Sequence, residues 1–242
     1  SYLDATPFHN IYRRPNTSNT LVENTIRSLA KDSFGNLWAG TRSKGLTLIT
    51  KDGNYQQFQH SATNLNSIQN NYIKKVFNDS KGLIWIGSQT GIDYYDPATK
   101  IIHRIDDPSI SNTAVFSVIE DEDTNLWFGT WNGLFKYIRQ SGHLVHISPD
   151  KPLPNVHVWT VIQDSKNQLW VGTEGGGITV LAKKGMHELK SIQRFQHEPD
   201  GTGSLSDNRV YSIYEDSQQR MWIGTGNGLD LYNPTTKDIK HL

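Results

Sequence analysis

Chemistry requires reactive side chains held close together, and few stretches of this chain bring candidates within reach of one another. The run "DEDTN" (121–125) opens like a calcium-binding loop, but its sixth position is Leu126 rather than Gly and its twelfth is not Glu. "GTGNG" (224–228) and "GTEGGG" (172–177) have the glycines of phosphate-cradling loops, yet no helical pattern follows either to supply an anion site. His143 and His146 have a spacing that suits a metal, without an evident third ligand. Cysteine is absent, which removes disulfides, thiolate metal sites and thiol nucleophiles. Neither a cofactor nor a metal is expected.

Glycoside hydrolysis needs two facing carboxylates. The candidates are Glu174 and the loop acids Asp107, Asp150 and Asp207, which show no pairing in sequence, so catalysis by this region is not expected. Two other sets of residues point to recognition instead. Arg27, Lys74, Phe116, Trp159 and Tyr211 each stand five residues before an aspartate, and Arg42, Gln89, Trp131, Glu174 and Gly226 each follow a Gly-Thr or Gly-Ser pair. Aromatic faces stack on sugar rings while guanidinium and amide groups bond the hydroxyls, so Trp131, Trp159, Arg42, Gln89, Glu174, Arg27, Lys74, Tyr211 and Phe116 are the expected ligand-binding residues.

These residues recur because the chain repeats. The phrases "LWAGT" (37–41), "IWIGS" (84–88), "LWFGT" (126–130), "LWVGT" (169–173) and "MWIGT" (221–225) share one pattern. An aspartate (Asp32, Asp79, Asp121, Asp164, Asp216) stands six residues before each repeat tryptophan (Trp38, Trp85, Trp127, Trp170, Trp222). A period of roughly 40–50 residues signals one supersecondary unit per repeat. Each unit parses into four strands joined by hairpin-length links, in the first at about Ile26–Ala30, Leu37–Thr41, Leu46–Thr50 and Tyr55–His60. The first three strands are largely apolar and the fourth alternates with polar residues, which places it at an outer rim. One such sheet leaves two apolar faces wet, and radial stacking covers both.

The expected fold is therefore an all-β propeller with five blades at about 24–60, 71–106, 113–148, 156–197 and 208–242. Residues Phe8–Tyr12 read as the outer strand of a preceding blade, which implies an excerpt of a larger array. A closed five-bladed ring is the alternative, with Phe8–Tyr12 replacing or supplementing Ile239–Leu242. The repeat tryptophans and aspartates are expected to fill the core and fix turns. Recognition is expected on the side carrying the variable segments 61–71, 107–113, 148–157 and 198–209. On the competing reading Phe116 and Tyr211 pack between blades, and Arg27 and Lys74 are solvated channel residues.

Lysine plus arginine and aspartate plus glutamate balance at 24 each, so no basic excess points to nucleic acid or a membrane surface. No apolar run reaches the ~20 residues of a membrane span.

"VYSIYEDSQQRMWIGTGNGLDLY" (210–232) and "VFSVIEDEDTNLWFGTWNGLFKY" (115–137) resemble the two-component regulator propeller repeat. The resemblance implies the periplasmic sensor region of a Bacteroidetes-type hybrid two-component histidine kinase anchored in the inner membrane, with the kinase outside these residues. It implies a glycan-derived ligand, in particular an oligosaccharide, and self-association or contact with a neighbouring propeller of the same parent. The alternative is a non-catalytic scaffold for protein–protein contact or dimerisation; a propeller glycosidase or polysaccharide lyase ranks below both.

Overall fold

The computed structural model describes residues 10–184, 188–199, 201 and 203–242. They form five four-stranded antiparallel sheets, each a simple meander, and no helix is present among them. Blade 1 comprises Ile26–Lys31 (β1), Leu37–Thr41 (β2), Leu46–Ile49 (β3) and Tyr55–Phe58 (β4). Blade 2 comprises Ile73–Asn78 (β5), Ile84–Ser88 (β6), Ile92–Asp96 (β7) and Ile101–Arg104 (β8). Blade 3 comprises Val115–Glu120 (β9), Leu126–Thr130 (β10), Gly133–Ile138 (β11) and His143–Ile147 (β12). Blade 4 comprises Val158–Gln163 (β13), Leu169–Thr173 (β14), Ile178–Lys184 (β15) and Glu188–Phe195 (β16). Blade 5 comprises Val210–Glu215 (β17), Met221–Thr225 (β18), Gly228–Asn233 (β19) and Asp238–His241 (β20).

Each residue of the repeated phrase has a physical task. The indole N–H groups of Trp38, Trp85, Trp127, Trp170 and Trp222 donate to the aspartate six residues earlier, at 2.7–3.0 Å. The other carboxylate oxygen accepts two backbone N–H groups of its own turn, those of Phe34 and Asn36 in the first blade. One acid thus closes the turn and satisfies a polar atom in the core. The motif glycine permits close approach between blades: a Cβ on Gly87 would lie 2.9 Å from Val115 Cγ1 and 3.0 Å from its carbonyl oxygen. The final hydroxyl closes the second link, as Thr41 Oγ1 donates to the Gly45 carbonyl at 2.8 Å, and Ser88 does the same to Gly91 at 3.1 Å.

The core lies between blades rather than within them. Trp38, Leu46 and Leu48 of blade 1 pack against Ile73, Val76, Ile84 and Ile86 of blade 2. Equivalent clusters join blades 2 and 3, 3 and 4, and 4 and 5. The inner strands pack in the series β1, β5, β9, β13, β17, and no comparable contact brings β17 against β1 among the described residues. Blade 5 accordingly leaves Tyr214 66% and Leu229 38% exposed, whereas Leu46, Ile92, Leu134 and Ile178, the equivalents of Leu229, are fully buried. The five blades form an open fan, not the closed ring.

The expected outer strand at Phe8–Tyr12 is corrected in part. Phe8 and His9 lie outside the described residues, and Asn10–Tyr12 form no strand. Side chains capture this backbone instead: Thr20 Oγ1 donates to the Tyr12 carbonyl, and the Arg14 N–H donates to Thr20 Oγ1.

Candidate functional site

At one position in every inner strand the register slips. The pairing skips from Ile26 to Ser28, Ile73 to Lys75, Val115 to Ser117, Val158 to Thr160 and Val210 to Ser212. The residues left over are Arg27, Lys74, Phe116, Trp159 and Tyr211. Each is therefore the extra residue of a β-bulge, a device that re-aims a side chain out of the ladder. The second links reach the same end of the inner strands. The backbone N–H groups of Arg42, Gln89, Trp131, Glu174 and Gly226 donate to the carbonyls of Thr25, Tyr72, Ala114, His157 and Arg209 at 2.9–3.0 Å. Both sequence-derived sets are thereby positioned on one side of the fan, together with the connections between blades.

The bulged side chains touch in sequence from blade to blade. The Arg27 guanidinium donates to Tyr72 Oη at 2.7 Å, and Lys74 Nζ lies 4.0 Å from the Tyr72 ring centroid and 5.2 Å from that of Phe116. Phe116 meets Trp159 at a centroid distance of 6.4 Å, and Trp159 stacks on Tyr211 at 4.7 Å. A branch leaves at Phe116, which lies 6.1 Å from Trp131. Trp131 stacks on the His157 imidazole at 3.8 Å, and His157 Nδ1 is 2.8 Å from Glu174 Oε2. The result is a strip that is cationic at blades 1 and 2 and aromatic at blades 3 to 5.

Its open faces can take a ligand with flat apolar sides and polar edges. Trp131 is 42% and Tyr211 48% exposed, and the buried Trp159 indole N–H has no acceptor among the described residues. A buried donor left unpaired costs about 1–3 kcal/mol. Arg42 and Gln89 sit at the strip's edge through their backbone bonds to Thr25 and Tyr72. Gly226 contributes no side chain; the Arg209 guanidinium fills the space where a Cβ would stand.

Sequence reasoning missed Tyr72 and His157, the two residues that splice the sets together. Both stand immediately before an inner strand, one place N-terminal to the buried residue that precedes the bulge. The loop acids have local partners: Asp107 accepts from Ser109, Asp150 from the Ser191 N–H, and Asp207 pairs with Arg209 at 2.6 Å, which holds its carboxyl down at about 2. His146 is engaged by the Asn132 carbonyl at 3.2 Å and the Phe135 ring. No group of three metal-ligating side chains occurs among the described residues.

A separate cleft of about 620 Å³ opens on the opposite side, between blades 3 and 4, lined by Trp127, Lys136, Arg139 and Leu189. Its cations are already neutralised: Lys136 by Asp121 at 3.1 Å, Arg139 by Asp79 at 2.7 Å and Lys183 by Glu122 at 2.8 Å. The bulge strip is the better candidate because its cations Arg27, Lys74 and Arg42 have no carboxylate partner among the described residues, although its acids are paired.

Comparison with known proteins agrees with this architecture. The model for the two component regulator propeller matches residues 20–43, 109–132, 152–175 and 204–227. Blade 2 lies outside those ranges yet folds like the others. The chain is 24% identical over 219 residues to histidine kinase P4 of Formosa agariphila, covering 87% of this chain and 12% of that kinase. In fold it resembles the extracellular domain of a putative hybrid two component system from B. thetaiotaomicron, with a TM-score of 0.73 and 24% identity over 90% of this chain and 30% of that one. It also resembles a catalytically inactive virginiamycin B lyase from Staphylococcus aureus solved with quinupristin, with a TM-score of 0.66 and 15% identity over 93% and 72% of the two chains. The chain thus spans well under half the length of the two signalling proteins. On four of its five repeats the chain matches the two component regulator propeller family.

Proposed function

We propose that this fan of blades is an extracytoplasmic sensor module, non-catalytic in itself, that binds a glycan-derived ligand on the bulge strip and passes the signal to a kinase elsewhere in its parent. The observation that carries the reading is the placement of five consecutive β-bulges, one per blade, whose extra residues make one contiguous strip of aromatic and cationic groups, exposed at Arg27 and Tyr211 and half-buried between them. Strand cores do not need a bulge; a surface that must present chosen side chains does. The similarity to a histidine kinase and to the extracellular domain of a putative hybrid system supports the signalling half of the reading. A ligand that binds one arrangement of blades or subunits better than another shifts their equilibrium by that difference in affinity.

Titration calorimetry against a panel of oligosaccharides tests the proposal. Binding is expected, and it is expected to disappear with Trp131→Ala and with Trp159→Ala. Absence of heat with every sugar, together with a concentration-dependent dimer, supports the second reading. That reading is a docking scaffold, favoured by the exposed apolar face of Tyr214 and Leu229 on blade 5 and of Leu29 on blade 1.

A further inference from the structure

We infer that the blade 1–2 end of the strip is an anion subsite, so that the sugar taken by the aromatic platform bears a carboxylate or sulfate group. The inference rests on the sensor reading and specifies its ligand class. Two cations converge there on one phenol: Arg27 donates to Tyr72 Oη at 2.7 Å, and Lys74 Nζ stands 4.0 Å from the centre of the same ring. Both are bulged residues, free of the strand ladder. Like charges drawn to one ring repel each other, and a bound anion between them removes that cost.

The chain has enough acids to pair these cations and does not use them here. Arg104, Lys136, Arg139, Lys183, Arg209 and Arg220 each have a carboxylate within 4 Å. Among the described residues no carboxylate lies within that distance of Arg27, Lys74 or Arg42. The acid at this end, Glu23, is engaged by the Ser43 N–H at 2.8 Å and its hydroxyl at 3.2 Å rather than by a cation, and at the other end Glu174 is bonded to His157 and Asp207 is paired with Arg209. Tyr72 registers the resulting field. Burial raises its phenol, but Lys74 and Arg27 outweigh burial and hold it below its ordinary value.

Hydroxyl recognition alone does not call for unpaired full charges, because amides and indoles serve it at lower desolvation cost. Lys74 also borders the Phe116 ring at 5.2 Å, so an anionic substituent on Lys74 and Arg27 leaves its sugar ring over Phe116 and Trp159.

The test compares four probes by calorimetry: a galacturonic acid trisaccharide, its methyl ester, the neutral galactose trisaccharide and a sulfated galactose trisaccharide. At least one acidic probe is expected to bind at least about tenfold tighter than its neutral counterpart, with the margin shrinking at high salt. The carboxylate and sulfate arms tell the two anion sources apart. Arg27→Gln/Lys74→Gln is expected to abolish the margin while weaker binding of neutral sugar persists. Lys74→Arg, which keeps the charge, is expected to retain the margin and serves if the double variant melts early. Equal binding of acid and ester overturns the inference, as does a margin that survives in the double variant. Failure of both acidic probes also overturns it, and binding of the neutral trisaccharide in that case leaves the sensor reading standing.

Discussion

Trp159 and Tyr211 stack nearly parallel across the boundary between blades 4 and 5, with ring centroids 4.7 Å apart and planes inclined by 17°. Tyr211 covers one face of the pair and remains 48% exposed itself. An aromatic pair of this kind contributes about 0.5–1.5 kcal/mol beyond simple burial. Tyr211→Ala is therefore expected to cost about 1 kcal/mol in denaturant unfolding and to weaken sugar binding about tenfold. A loss above about 3 kcal/mol with unchanged affinity supports the alternative in which Tyr211 is a packing residue.

The motif glycines offer an internal control for blade packing. A Cβ on Gly87 meets Val115 of the next blade, including its carbonyl oxygen at 3.0 Å, and backbone cannot step aside. On Gly224, in the last blade, the same Cβ crowds only the Ser212 hydroxyl, at 2.5 Å, and meets the Ser212 Cβ and carbonyl oxygen at ordinary contact distances of 3.8 and 3.9 Å. Overpacking costs typically 1–3 kcal/mol. Gly87→Ala is expected to fall in that range and Gly224→Ala well below it, read as shifts of the urea midpoint. Equal costs for the two substitutions mean that the glycines serve their own strands rather than the neighbouring blade.

That control marks what the sequence could reveal. Anything repeated in phase was legible: the Trp–Asp pairing shows as a fixed spacing of six, and the bulged residues show as a column before each aspartate. The bulge itself left no composition signal, since Arg, Lys, Phe, Trp and Tyr share nothing but their place. Tyr72 and His157 escaped notice because their column also holds Thr25, Ala114 and Arg209, and only the fold returns that column to the second link. The turns were half legible. The left-handed third residue after each aspartate is Gly35, Gly82 and Asn167, types that tolerate this conformation, but Thr124 and Gln219 in two blades. Tertiary closure by the aspartate overrides local preference there. Within Phe8–Tyr12, the described residues Asn10–Tyr12 depart from the expected strand because Thr20 captures the adjoining backbone, a contact that sequence cannot report.

Asp93 gives the fold a pH signature. Its side chain on β7 is fully buried, and burial drives its pKa up to about 6, against the opposing pull of the Gln69 N–H at 2.8 Å and Arg104 at 3.7 Å. The folded state thus holds this proton more tightly than the unfolded chain, whose ordinary value is 3.8. Stability from this group is greatest below about pH 4 and falls as pH rises to about 6, by up to about 3 kcal/mol. The depressed carboxylates act in the opposite sense and lower down, since Asp207 loses its contribution as pH falls towards 2. Asp93→Asn keeps an acceptor for Gln69 and is expected to flatten the slope between pH 4 and 6 in thermal melts. A slope identical to that of the parent chain rules out Asp93 as its source.

Thr179 shows how a repeat tolerates a broken bond. In blade 1 Thr47 Oγ1 accepts the Val22 N–H at 3.3 Å, in blade 2 Asp93 accepts that of Gln69 at 2.8 Å, and in blade 5 Asp230 accepts that of Ser206 at 2.9 Å. Each donor stands four residues before an inner strand, so this third-strand acceptor ties the incoming connection to the sheet. The equivalent position in blade 4 is Pro154, which has no N–H, and Thr179 Oγ1 is buried without a partner among the described residues. A buried polar atom with no partner costs about 1–3 kcal/mol, whereas a satisfied one contributes about 0.5–1.5. The same substitution is thus expected to have opposite signs in two blades: Thr179→Val stabilises by about 1 kcal/mol and Thr47→Val destabilises by about as much. Pro154→Ala restores a donor, and in that background Thr179→Val is expected to lose its benefit, which a double-mutant cycle by denaturant unfolding measures directly. If Thr179→Val destabilises in both backgrounds, the hydroxyl has an acceptor or donor other than the one proline removed.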